Sequence, residues 1–145
     1  MPVAVLSHRR LRGVRSADVR RRARQLLRLL GEGRAELTIS LVEDREMQRL
    51  NAAYRGKDQP TDVLAFAMRE GKRAAGDETV LGDVVLSLDT AKRQAESRGH
   101  TVDEEVTTLL IHGVLHLLGY DHERSPAEAR RMKRKERELG ASLRG

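Results

Sequence analysis

Residues 101–122 read TVDEEVTTLLIHGVLHLLGYDH, and the fold around any active centre follows from how this stretch folds. Thr101 with Glu104 three positions on makes a capping box, the signature of a helix start. Gly119, just past Leu118, supplies the stop. On the helix between them, His112 and His116 are four apart, so they project from one face within about one turn and can share an ion. Gly119 can take a left-handed conformation that turns the chain back and brings His122 to the same ion. Three of the five histidines thus fall in eleven residues, flanked by Leu109, Leu110, Val114 and Leu117, which would anchor the helix in a core.

Three neutral imidazoles bind zinc at about 2.0–2.1 Å and leave a fourth position open, the arrangement of a catalytic rather than a structural site. The expectation is one zinc ion per chain, held by His112, His116 and His122. His8 and His100, each isolated, read as ordinary histidines. There is no cysteine, so imidazole and carboxylate are the ligands on offer and disulfides are excluded. The spacing of His112, His116, Gly119 and His122 matches the metzincin protease pattern H-E-x-x-H-x-x-G-x-x-H, except that Gly113 stands where that pattern has its catalytic glutamate. Without that general base, peptide hydrolysis by the standard route is disfavoured. Lewis-acid activation of water or of a phosphoryl oxygen does not need it. Asp121 and Glu123 beside the third histidine have two readings, an orienting or basic role and plain solvation.

Outward from this segment, short elements follow one another. Val3 to Leu6 reads as a strand. Ser16 caps a helix with Val19, Ala23, Leu26, Leu27 and Leu30 on one face and Arg20, Arg21, Arg22, Arg24 and Arg28 largely on the other, ended by Gly31 and Gly33. Glu36 to Val42 alternates apolar and polar residues as a half-buried strand does. A helix from about Asp44 to Tyr54, a strand from Asp62 to Ala67, a mobile loop from Met68 to Glu78 and a strand from Val80 to Leu88 follow. Asp89 to Arg98 and Pro126 to Leu139 read as the remaining helices. Strands and helices without strict alternation point to an α+β fold, a small mixed β-sheet packed with helices and carrying a zincin-like metal-binding helix. At 145 residues the chain fits one domain, 1–145.

The net charge of +6 is segregated. Residues 1–30 hold nine arginines against Asp18, residues 124–145 hold eight basic against three acidic residues, and the middle is net acidic. Basic ends suit a polyanion, because neutralising phosphates releases counterions; solvated helix faces are the alternative reading. No apolar run reaches the roughly 20 residues a membrane helix needs, and no signal-peptide pattern is present, so a soluble, cytoplasmic chain is expected. Phe66, Tyr54 and Tyr120 are the only aromatics, so the core must be aliphatic.

A second charged cluster lies at 50–64, LNAAYRGKDQPTDVL. Arg55 there is a candidate phosphate ligand, its guanidinium offering a planar fork of donors. A turn ion pair between Arg55 and Asp58 is the competing reading. Together, 50–67, LGDVVLS at 81–87 and HGVLHLLGYDH at 112–122 resemble the YbeY family of bacterial rRNA maturation endoribonucleases. That family's pattern is L-N-x-x-Y-R-x-x-D-x-P-T-D-V-L-S-F-P, then L-G-D-I-x-I-S, then H-G-x-L-H-L-x-G-Y-D-H. The order and spacing agree from Leu50 to His122, about half of the chain; Ala65 replaces the usual serine and Ala67 the usual proline. The resemblance implies His112, His116 and His122 as zinc ligands and Arg55 as the basic residue of the substrate cleft. It also implies metal-dependent cleavage of single-stranded RNA in 16S rRNA 3′ end processing and ribosome quality control. Expected partners are single-stranded RNA, rRNA and ribosomal particles, with no membrane and no DNA. A metalloprotease-like amidohydrolase and a non-catalytic ribosome-assembly factor with a structural metal are the alternatives.

Overall fold

The computed structural model describes residues 3–7, 13–68 and 79–144. Among these residues nine elements follow one another: β1 (Val3–Ser7), α1 (Ser16–Leu29), β2 (Glu36–Val42), α2 (Asp44–Arg55), β3 (Val63–Ala67), β4 (Val80–Ser87), α3 (Leu88–Arg98), α4 (Val102–Leu117) and α5 (Pro126–Arg144). The strands form one sheet in the order β1-β2-β4-β3. β1, β2 and β4 run parallel, and β3 is antiparallel to β4 at the edge. This is the small mixed sheet of an α+β fold. The parallel pair β1 and β2 is joined through helix α1, as a crossover requires.

Each face of the sheet is covered by different helices because side chains alternate across the strands. Leu37, Ile39 and Leu41 of β2 and Val84 and Leu86 of β4 join α1 and α4 in the main core. Val42, Leu64 and Val85 point the other way and pack with Met47 of α2 in a second cluster. The main core is aliphatic, each fully buried leucine or valine contributing about 1.5–3 kcal/mol.

The capping box of α4 is formed: Glu104 N–H donates to Thr101 Oγ1 (3.1 Å) and Thr101 N–H to Glu104 Oε1 (2.9 Å). Nine of the sixteen residues of α4 are buried, so this helix is an interior one rather than an amphipathic surface one. It is held at its start by Arg22, which pairs with Asp103 at 2.7 Å, and by buried Glu105, which accepts from Arg98 (2.7 Å) and lies 2.5 Å from His100. His100 is accordingly a structural histidine.

Two expectations are revised. Ser16 does not cap α1; Arg15 occupies the cap position without a side-chain bond. Val14 before the cap and Val19 four residues into the helix are both buried in the main core, the arrangement of a hydrophobic staple, and this sets the helix entry so that Ser16 falls inside the first turn. The last helix runs on to Arg144 rather than stopping at Leu139, with Leu143 packed against the core. Of the loop expected over Met68–Glu78, Met68 donates its N–H to Leu81 (3.0 Å); residues 69–78 and His8 lie outside the described residues. Among the described residues no helix is long and apolar enough to cross a membrane.

Candidate metal centre

Helix α4 ends in a Schellman motif: Gly119 N–H donates to His116 C=O and Tyr120 N–H to Leu115 C=O, both at 3.0 Å. Gly119 has φ 94°, which an L side chain rarely adopts. The reversal carries residues 120–122 back alongside the helix end. As a result His112, His116 and His122 converge, with ring centroids 4.7, 5.3 and 5.4 Å apart. One nitrogen from each imidazole lies within 4.8 Å of the others.

The fit to a tetrahedral ion can be tested on the closest pair. Two nitrogens bound to zinc at tetrahedral angles stand about 3.3 Å apart. Nε2 of His112 and Nε2 of His116 are 3.1 Å apart. Burial, then the neighbouring His112 and His122, hold the His116 imidazole below the ordinary histidine value, which favours the neutral, lone-pair-bearing form a metal takes. These residues can therefore hold a metal ion.

Behind the histidines lies a carboxylate that sequence reasoning missed. Glu136 Oε2 of α5 is 2.7 Å from His112 Nδ1. It was legible in principle, because Met132, Glu136 and Leu139 fall at i, i+4 and i+7, and Met132 and Leu139 are buried. The acidic residue therefore sits on the inner side of an otherwise basic helix.

The histidines form one wall of a cleft of about 460 Å³. The other wall is Arg55, Thr61, Asp62 and strand β3, with Glu123 also lining it. Gly113 forms the floor between two of the ligands. A Cβ on Gly113 would come within 2.8 Å of Val84 Cγ1 and 3.2 Å of Val63 Cγ2, so a side chain there would force the valines of the sheet to shift. Packing thus opposes the missing metzincin glutamate, and the carboxylates that line the cleft come instead from Asp62 and Glu123.

Arg55 is exposed at the end of α2, where Gly56 closes the helix in the left-handed region. The competing turn ion pair is not what forms: Asp58 accepts from Gln48 Nε2 at 3.0 Å. Among the described residues Arg55 has no carboxylate partner, which leaves its guanidinium available to the cleft. The connection from Arg55 to β3 is pinned by buried Asn51, whose Nδ2 donates to Gln59 C=O (2.8 Å), and by Ser87 N–H donating to Asp62 C=O (3.0 Å). Gln94 Nε2 donates to the Asp62 carboxylate at 3.2 Å. Asp121 accepts from Glu123 N–H (2.9 Å) and faces Arg124 (3.6 Å), an orienting role for the turn that carries His122.

The basic termini are partly engaged. Arg21 pairs with Asp18, Arg22 with Asp103, and Arg131 lies 4.5 Å over the Tyr120 ring. Arg130, Lys133, Arg134 and Arg137 are exposed on α5.

Known proteins are similar to this chain along most of its length. The family model described as endoribonuclease YbeY matches residues 8–144. An endoribonuclease YbeY from Geobacter metallireducens is 44% identical over 144 residues, covering 99% of this chain and 96% of its own length. Another, from Aquifex aeolicus, is 44% identical over 129 residues, covering 89% of this chain and 84% of its own. A solution structure of a Thermotoga maritima protein superposes with a TM-score of 0.68 at 27% identity, over 97% of this chain and 88% of that one. The match takes in both walls of the histidine cleft and the helix that backs it, so the chain belongs to the endoribonuclease YbeY family.

Proposed function

We propose that the chain, acting as one unit over residues 1–145, is a zinc-dependent endoribonuclease that cleaves single-stranded RNA in 16S rRNA 3′ end maturation and ribosome quality control in the cytoplasm. The observation that carries this reading is the convergence of His112, His116 and His122 in a cleft whose opposite wall presents the guanidinium of Arg55. A zinc ion held by the three histidines, one per chain, would supply Lewis-acid chemistry toward a phosphoryl oxygen or a water molecule. Arg55, fixed at a helix end, would hold a non-bridging phosphate oxygen and stabilise the charge that develops on it. Asp62 and Glu123, the carboxylates that line the cleft, would be the groups to take a proton.

The exposed cations of α5 suit the phosphate backbone of rRNA or of a ribosomal particle. With Phe66, Tyr54 and Tyr120 the only aromatics of the sequence, stacking on bases has little to draw on. Weak sequence preference and strong salt dependence follow. The test is cleavage of matched single-stranded RNA, duplex RNA and single-stranded DNA before chelation, after it, and after zinc is restored. Cleavage confined to single-stranded RNA that disappears and returns with zinc is expected; cleavage indifferent to chelation contradicts the proposal.

A further inference from the structure

We infer that Glu136 is a positioning residue for the metal: it fixes His112 in the Nδ1–H tautomer and so presents Nε2 to the ion. The inference rests on the three-histidine metal reading above. An ionised carboxylate only accepts, so the hydrogen of this 2.7 Å pair belongs on His112 Nδ1. In the neutral ring the lone pair is then on Nε2, the atom that stands 3.1 Å from His116 Nε2. Free imidazole prefers the opposite tautomer, with its hydrogen on Nε2, where it would block the ion. Glu136 is held in place by its own helix, since Met132 and Leu139, one turn to either side, are buried at 1% and 4% exposure. The carboxylate is about a quarter exposed and has no other partner among the described residues, so its orientation is set by the histidine. The C-terminal helix, which carries no recognisable ligand motif, thereby takes part in building the metal centre, and outer-shell carboxylates of this kind raise metal affinity by orienting the ring and increasing its basicity.

The test compares wild type, Glu136→Gln, Glu136→Ala and Leu139→Ala, all as full-length chains. Zinc dissociation constants are measured by competition with a chromophoric chelator, and the ring-nitrogen resonances of His112 are recorded in the metal-free proteins. Glu136→Ala should weaken zinc binding by about 10–100-fold and move His112 to the Nε2–H tautomer. Glu136→Gln keeps an acceptor of the same shape and should lose less. Leu139→Ala loosens the helix without touching the carboxylate and should lower thermal stability while leaving the tautomer intact. Unchanged zinc affinity in a folded Glu136→Ala protein, an unchanged His112 tautomer, or an equal affinity loss in Leu139→Ala would each overturn the inference. The tautomer is read without metal, so a wild type that binds no zinc would defeat the metal reading separately from the role of Glu136.

Discussion

The two walls of the cleft are built by different means. The histidine wall hangs on one continuous segment, 102–122, in which a buried helix, a Schellman turn and the third ligand follow in sequence. The opposite wall is assembled from the end of α2, the connection through Asp62 and the edge strand β3, tied together by Asn51, Ser87 and Gln94. The first wall places its ligands by helical geometry, which is rigid and short-ranged. The second places Arg55 on an exposed helix end, with no carboxylate partner among the described residues. The first kind of construction suits a metal site, and the second suits the phosphate binding proposed for Arg55.

The contrast predicts that damage to the histidine wall is structural as well as functional. Gly113→Ala should cost about 1–3 kcal/mol from overpacking against Val84. Gly113→Glu should be worse, since it adds a carboxylate with nowhere to go, and urea denaturation would measure both. A Gly113→Glu protein of wild-type stability would mean that α4 does not lie this close to the sheet. Arg55→Ala attacks the other wall and should leave the melting temperature and zinc content alone while slowing single-turnover RNA cleavage by about 10²–10³-fold. A fall in zinc content there would show that the walls are not independent.

Smaller effects sharpen the comparison. Replacing exposed Arg130 and Arg134 by glutamine should raise the RNA dissociation constant and flatten its salt dependence, by about 0.7 in log–log slope for each RNA phosphate that is no longer neutralised. Cleavage at saturating RNA should not change. The metal-free protein should also lose stability on acidification. His116 has a lowered folded-state value, so as pH falls below the ordinary histidine value the unfolded chain takes up a proton before the folded one. The loss begins there and continues down to the folded value, and thermal melts between about pH 7 and 5 would record it. A pH-independent melt would contradict the burial of His116.

The histidine wall was legible because the features that set the spacing of its ligands are local. Thr101 and Glu104 start the helix, the four-residue spacing sets the face and Gly119 ends it, all within one short stretch. The sheet order was not legible, because β4 inserts between β2 and β3 through pairings that no local pattern encodes. Arg55 could be nominated from its residue type, but its approach to the histidines depends on how β3 pairs with β4. Glu136 was hidden for a related reason: its partner is 24 residues away, and the many basic residues of α5 mask the one carboxylate on its inner face. Ser16 failed as a cap because the burial of Val14 and Val19 overrode a local preference.

The central claim, that the three histidines hold a metal which cleaves RNA, is tested most directly by metal analysis of the purified chain beside single-stranded RNA cleavage by wild type and His116→Ala. The account predicts one zinc per chain and cleavage in wild type, with both lost in a His116→Ala protein that remains folded. Equal cleavage by the two proteins would assign the activity to a contaminant and contradict the account.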